Sequence, residues 1–168
     1  MATQVIKEPA RVAAPAPAAA GPSKPRVLIC DDSRIVRAAI GQHLRDRFEL
    51  REVTDGEAAW QAILLDSSIR VVISDLTMPK VDGFELLNRV RSSKVQRIRE
   101  LPVVIISGEE ESHERDRAAS LGATDFIQKA VGASELLARM EVLVRLSTTR
   151  EMLAESQASL ESSRTVDS

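Results

Sequence analysis

Five side chains able to do phosphorus chemistry follow short apolar runs in this sequence. Asp31 and Asp32 follow one run, Asp75 a second, Ser107 a third and Lys129 a fourth. Three carboxylates held together repel one another, which favours a bound divalent cation, and a ligand set of hard oxygens suits Mg2+. Because Cys and His are missing from this group, zinc and copper are disfavoured.

A carboxylate beside Mg2+ can act as the nucleophile toward phosphorus. In the transition state of phosphoryl transfer, negative charge spreads over the peripheral oxygens, where a metal ion and a lysine can neutralise it. Lys129 suits this role as a point charge, and Ser107 can donate a hydrogen bond to a phosphoryl oxygen. The group therefore predicts an aspartyl-phosphate site, and the alternative is a set of solvated charges at strand ends.

Short apolar runs predict the strands that carry these residues, because they are rich in β-branched residues and too short for stable helices. The second predicted strand is more polar and is expected at or near an edge. The five predicted strands cover residues 27–30, 49–53, 71–73, 103–106 and 126–127.

Amphipathic segments between the strands carry helix start and stop signals. These signals are an N-cap at Ser33, capping boxes at Thr54 with Glu57 and at Asp82 with Glu85, a helix over 111–121 stopped by Gly122, and an extended last helix from about Ser134.

Buried strands alternating with helices predict an α/β fold with a parallel sheet covered on both faces. Five strand–helix units in about 120 residues fit a flavodoxin-like (βα)5 doubly wound domain with strand order 2-1-3-4-5. In such a sheet the ligands lie at the carboxyl ends of the strands, where the five polar side chains are expected to converge.

Composition excludes several classes of protein. The net charge of −2 and the aromatic content of 2% argue against a nucleic-acid surface. No run of about 20 apolar residues predicts a membrane span, and prolines interrupt the Ala-rich start of the chain, so a cytoplasmic protein is expected. We predict a disordered Ala/Pro-rich tail over 1–25, a domain over 26–147 and a helical linker over 148–168. Cys30, within an apolar run, is expected to be buried and inert.

Four stretches together resemble the receiver domains of two-component response regulators. They are VLICDDS from residue 27, SDLTMPKVDGFE from residue 74, IISG from residue 105 and GATDFIQK from residue 122. The resemblance implies that Asp75 is the phosphoacceptor and that Asp32 and Asp75 bind Mg2+ directly, together with the backbone carbonyl of Thr77. It also implies that Asp31 acts mainly through a metal-bound water.

The same resemblance implies how the phosphoryl group is held and sensed. Ser107 and Lys129 would hold it, and Phe126 would match the aromatic residue that changes rotamer on activation. The implied donor is a sensor histidine kinase or phosphotransfer protein. The implied response is homodimerisation through the face of the fourth helix, fifth strand and fifth helix, or through the C-terminal helix. Such a domain is a switch and not an enzyme in its own right.

One position departs from the family pattern. Ala130 follows Lys129, where the family usually has proline after a cis peptide bond. A cis bond before a residue other than proline costs about 2.5–4 kcal/mol. Either the bond is trans and the loop has a different shape, or the loop stores strain.

The C-terminal segment predicts a weak coiled-coil seam of Leu146, Leu153 and Leu160, with the companion positions Leu143, Arg150 and Gln157 mostly polar. The last residues, RTVDS, resemble the segment that precedes the catalytic (GGDEF) domain of diguanylate cyclases, which implies a cyclase output domain outside this chain. Two alternatives stay open. One is a stand-alone receiver that acts as a protein-binding adaptor. The other is an aspartyl-phosphate phosphatase of the haloacid-dehalogenase type, disfavoured because Thr77 stands where such enzymes have a second acid.

Overall fold

A computed structural model describes residues 24–108 and 112–166 of the chain. Its centre is one five-stranded, fully parallel sheet with the order β2-β1-β3-β4-β5, which confirms the predicted architecture. The strands are β1 Arg26–Cys30, β2 Glu49–Val53, β3 Ile69–Asp75, β4 Val103–Ser107 and β5 Asp125–Gln128.

Helices cover both faces of the sheet and divide the core in two. Apolar residues of β1, β3 and β4 point alternately to the two sides, as the period of two in a strand requires. The helices are α1 Arg34–Leu44, α2 Gly56–Leu65, α3 Gly83–Arg91, α4 Gln96–Arg99, α5 Ser112–Ser120 and α6 Ala133–Val166. Helices α1 and α6 pack on one face, and α2, α3, α4 and α5 pack on the other.

Side-chain caps fix two helix starts as predicted. Ser33 accepts a hydrogen bond from Val36 N at the start of α1, and Asp82 accepts one from Glu85 N at the start of α3. The predicted capping box at Thr54 is wrong, because Asp55 caps α2 by accepting from Ala58 N. The first residue of α2 must be glycine, because a Cβ on Gly56 would lie 1.9 Å from the Val81 carbonyl oxygen.

Two further boundaries differ from expectation. The short helix α4 was not predicted, because four residues without a side-chain cap carry no periodic signal. The fourth and fifth predicted helices are therefore α5 and α6. Gly122 follows α5 with a φ of +99°, which confirms the predicted stop residue. Glu111, the predicted first residue of that helix, and residues 1–23 of the predicted tail lie outside the described residues.

Helix α6 continues well past the sheet. Its first turns bury Leu136, Met140 and Leu143, and its later turns contact the amino-terminal edge of the sheet. There Arg70 and Glu151 form an ion pair, and Arg150 Nη1 donates to the Glu100 carbonyl oxygen at 3.2 Å. Across residues 24–108 and 112–166, the structure contains no helix long and apolar enough to cross a membrane.

Candidate functional site

Parallel strands bring the predicted site residues to one edge of the sheet. Asp31 and Asp32 follow β1, Asp75 and Ser107 are the last residues of β3 and β4, and Lys129 follows β5. The register supports this placement, because Asp75 pairs with Ile106 beside Ser107. The convergence follows from the topology, since all five strands point their carboxyl ends the same way.

The carboxylates of Asp31, Asp32 and Asp75 form a compact acidic cluster. Each offers one oxygen, and these oxygens all lie within 4.8 Å of one another. Asp31 is fully buried and Asp75 is 7% exposed, whereas Asp32 is exposed to solvent. Asp31 Oδ1 accepts a hydrogen bond from Ser33 N at 2.8 Å, which orients the buried carboxylate.

Lys129 bridges two members of the acidic cluster. Its Nζ lies 3.2 Å from Asp31 Oδ2 and 3.2 Å from Asp75 Oδ1. The backbone N of Lys129 donates to the Ser107 carbonyl oxygen at 2.8 Å, so β4 and β5 hold the loop in place. The Lys129–Ala130 peptide bond is trans, and the ammonium still reaches both carboxylates.

The charges of this cluster perturb one another. Burial raises the pKa of the Asp75 carboxyl, the Asp31 charge raises it further, and Lys129 opposes both. Burial disfavours the charged form of Lys129, but Asp75 and Asp31 outweigh burial and raise the pKa of its ammonium. One lysine therefore only partly compensates three acids, and an added cation would find a favourable field.

The donor set fits Mg2+. Among the buried polar side-chain atoms of the described residues, Asp31 Oδ2 is the one that accepts no hydrogen bond, and its contact with Lys129 is an ion pair. Lys129 supplies one positive charge to this oxygen, and the net negative charge of the three acids favours a further cation beside it. Asp32, Asp75 and the Thr77 carbonyl would hold the ion, and all three residues line the same cleft.

The cleft contains one acidic residue that sequence reasoning missed. Glu114, half-buried in the first turn of α5, lines it together with Ser107, Gly108 and Lys129. Nothing in the local sequence marks Glu114, because its position depends on how α5 approaches the sheet. In the cleft it adds a further negative charge beside the acidic cluster.

Two residues outside the predicted set support the acids. A Cβ at Gly83 would lie 2.3 Å from the Asp75 carbonyl oxygen, so only glycine lets α3 start this close to β3. Arg37 Nη1 donates to the Asp31 carbonyl oxygen at 2.7 Å and holds the chain after β1. The Asp82–Gly83 pair is a recognisable turn and cap signal, whereas Arg37 has none.

Phe126 lies apart from the cleft lining. It is partly buried on β5 against the core beneath α2, α3 and α5. The guanidinium of Arg115 lies 5.3 Å from the centre of its ring, within the range of a cation–π contact. Phe126 therefore connects β5 to α5 through its contact with Arg115.

Cys30 lies directly beneath the cluster. The thiol is fully buried, its Sγ is 2.9 Å from Met78 Sδ, and burial together with the nearby acids raises its pKa to about 12. The expectation of a buried, inert cysteine fits this environment.

Comparisons with known proteins agree with this geometry. Residues 27–141 match the family model described as the response regulator receiver domain. The chain is 37% identical over 113 residues to the two-component response regulator ORR5 of Oryza sativa subsp. japonica, which covers 67% of this chain and 83% of that protein. It is 32% identical to response regulator MprA of Mycolicibacterium vanbaalenii, covering 79% of this chain and 56% of that protein.

A solved structure shows the same arrangement of the chain. The chemotaxis response regulator CheY4 of Vibrio cholerae superposes with a TM-score of 0.64 at 26% identity. The superposition covers 72% of this chain and 99% of that one.

Proposed function

The chain belongs to the family of response regulator receiver domains, and on that premise we propose that Asp75 accepts a phosphoryl group from a sensor histidine kinase or phosphotransfer protein, with Mg2+ bound. One observation carries the proposal. Lys129 Nζ lies 3.2 Å from a carboxylate oxygen of Asp31 and 3.2 Å from one of Asp75. The lysine ammonium therefore lies beside the acidic cluster, where it can neutralise the charge that develops during phosphoryl transfer.

The chemistry follows from these positions. A carboxylate oxygen of Asp75 forms a bond to phosphorus while the bond between phosphorus and the donor histidine nitrogen breaks. Bound Mg2+ would supply charge neutralisation for the transferred oxygens. Lys129 and Ser107 then hold the phosphoryl oxygens, by ion pairing and by hydrogen bonding respectively, because both line the cleft around Asp75.

Docking of the phosphodonor has a candidate contact beside the site. Ile35, in the first turn of α1, is 81% exposed although it is a large apolar residue. It lies three residues after Asp32, which lines the cleft. An exposed apolar side chain at this place suits burial against a partner that must bring its histidine to Asp75.

The proposed output is a change in pairing between copies of the chain. The phosphoryl group would act through Ser107 and Phe126 on the face formed by α5, β5 and α6, or on the C-terminal part of α6. The suggestion that the output domain is a diguanylate cyclase is supported by the resemblance of residues 164–168. If the phosphorylated protein stays monomeric in light scattering, the adaptor alternative is favoured instead.

The site is tested by incubating the chain with acetyl phosphate and measuring its intact mass. The wild-type protein with Mg2+ should gain one phosphoryl group, and the gain should disappear with a chelator. Asp75→Asn should remove it, whereas Asp46→Asn, a control at an exposed acid after α1, should keep it. A gain that survives Asp75→Asn, or no gain with Mg2+, would refute the proposal.

A further inference from the structure

A cavity, here the α6 cavity, lies at the amino-terminal edge of the sheet between the start of β3, α4 and the later turns of α6. Its volume is about 100 Å3, several times the roughly 10–15 Å3 that one water molecule requires. Each of the three segments contributes an arginine to the lining: Arg70 comes from β3, Arg97 from α4 and Arg150 from α6. The fold therefore gathers three positive charges from distant parts of the chain around one small space.

Two of these arginines have no carboxylate partner. Arg150 Nη1 donates to the Glu100 carbonyl oxygen at 3.2 Å, so this residue, predicted as a companion of the leucine seam, contacts the domain instead. The terminal nitrogens of Arg97 lie 3.4 and 3.5 Å from the Ile63 carbonyl oxygen. Among the described residues that line the cavity, the ion pair is the one between Arg70 and Glu151. Arg97 and Arg150 therefore keep uncompensated charges.

The acids of the lining do not neutralise this charge. Glu151 is already paired with Arg70, and the Glu100 carboxylate accepts a hydrogen bond from Gln96 Nε2 at 3.1 Å. Beside the cavity, burial and the charge of Arg150 lower the pKa of the Arg91 guanidinium, which donates to backbone carbonyl oxygens and a threonine hydroxyl. An excess of positive charge around a cavity attracts an anion.

We propose that the α6 cavity binds a small molecule that carries a phosphate group, held by the guanidinium groups of Arg97 and Arg150. The planar fork of an arginine presents paired N–H donors that match the spacing of phosphate oxygens. A phosphate dianion also supplies one negative charge for each of the two unpaired arginines. Ile69 and Ala154 add apolar surface to the lining, which suits a short carbon body on the ligand.

The α6 cavity is separate from the phosphoryl site. Arg70 is the second residue of β3 and Asp75 is its last, and five residues of strand span about 16 Å. A ligand in the cavity is therefore a different species from a phosphoryl group on Asp75. Because the ligand would contact both α4 and α6, its binding would hold the later turns of α6 against the domain.

Nuclear magnetic resonance tests the site with two probes, inorganic phosphate and glycerol phosphate. The isotope-labelled chain is titrated in a chelator, with sodium chloride at equal ionic strength as the control. The amides of residues 96–100 and 147–154 should shift saturably with a phosphate probe and not with chloride, whereas those of residues 75–77 should stay. The probe that binds more tightly identifies the free ion or the ester as the preferred ligand. A response confined to residues 75–77, equal shifts with chloride, or no saturable shift with either probe would overturn the proposal.

Neutral variants of the arginines give a second test. Arg97→Gln and Arg150→Gln should each raise the dissociation constant of the tighter probe about tenfold, because each removes a charge-assisted contact. Arg145→Gln, at an exposed arginine of α6 that does not line the cavity, should leave the constant unchanged. Circular dichroism without phosphate checks that all three variants are folded. Equal effects of the three variants would show a general loss of charge and would overturn the proposal.

Amide hydrogen exchange tests the effect of the ligand on α6. Phosphate should slow the exchange of amides 151–161 in the wild-type chain, because a bridging ligand opposes local opening of the helix. The same addition should have little effect in Arg150→Gln, whereas Arg145→Gln should respond as the wild type does. Unchanged exchange in the wild-type chain at saturating phosphate would overturn the claim that the ligand holds α6.

Discussion

Replacing Gly83 by alanine should displace the backbone that carries Asp75. A Cβ at this position would lie 2.3 Å from the Asp75 carbonyl oxygen and 2.9 Å from Leu76 Cα, and both are backbone atoms that cannot rotate away. Ordinary contact begins at 3.4 Å. The start of α3 or the end of β3 must therefore move by about 1 Å, and the end of β3 carries the phosphoacceptor.

Opposing effects set the size of the expected loss. Overpacking a dense region costs about 1–3 kcal/mol, whereas alanine in place of glycine in a helix gains about 0.5–1 kcal/mol. We expect a net loss of roughly 1–2 kcal/mol in the free energy of unfolding. A displacement of 1 Å at a reacting group can cost about 100-fold in rate, so phosphorylation should slow by an order of magnitude or more.

The control for this variant is Gly132→Ala, because a Cβ at Gly132 would meet no atom within 4 Å. Urea unfolding gives the free energies, and the rate of phosphorylation by acetyl phosphate with Mg2+ gives the functional effect. If Gly83→Ala is as stable and as fast as Gly132→Ala, the close approach of α3 to β3 does not position Asp75.

Three other properties follow from the structure. Asp75→Asn should raise the melting temperature measured in a chelator, because burial and Asp31 raise the pKa of the Asp75 carboxyl and its ionised form therefore costs stability at neutral pH. Mg2+ should reduce the difference in melting temperature between the variant and the wild type. A variant that melts below the wild type in the chelator would contradict this. Asp66→Asn should lower stability by about 1–2 kcal/mol at neutral pH, because hydrogen bonds from Ser68 and Arg26 outweigh burial and lower the pKa of Asp66 to about 2. The loss should be complete above about pH 4 and vanish as the pH falls toward 2, and a difference independent of pH in urea titrations would contradict it. Cys30 should react with a thiol reagent only through unfolding, and labelling that is equally fast in native and urea-unfolded protein would contradict its burial.

Local sequence signals predicted most of the fold because the strands and caps are locally encoded. The β-branched runs located the sheet, and Ser33 and Asp82 act as caps as their spacing predicts. Thr54 is not the cap, because the next residue, Asp55, accepts the capping hydrogen bond of α2. The close approach of Gly56 to Val81 favours a helix that begins at Gly56. That contact joins distant parts of the chain, so no local pattern could reveal it.

The site residues at strand ends were predictable from the sequence, whereas the residue that a helix contributes to the cleft was not. Asp31, Asp75 and Lys129 converge because parallel strands end at one edge. Glu114 enters the cleft through the approach of α5, which the sequence does not encode locally. The hydrogen bond from Arg150 to the Glu100 carbonyl oxygen likewise forms only because α6 packs against the domain, so the local sequence does not predict it.

The most direct test of the account locates the phosphoryl group on the chain. Wild-type protein is phosphorylated by acetyl phosphate with Mg2+, the acyl phosphate is reduced with borohydride, and peptides are mapped by tandem mass spectrometry. The account predicts that the reduced residue is Asp75, at the end of β3. Reduction at Asp31 or Asp32 instead, or no reduced residue in phosphorylated protein, would contradict the assignment of Asp75 as the acceptor.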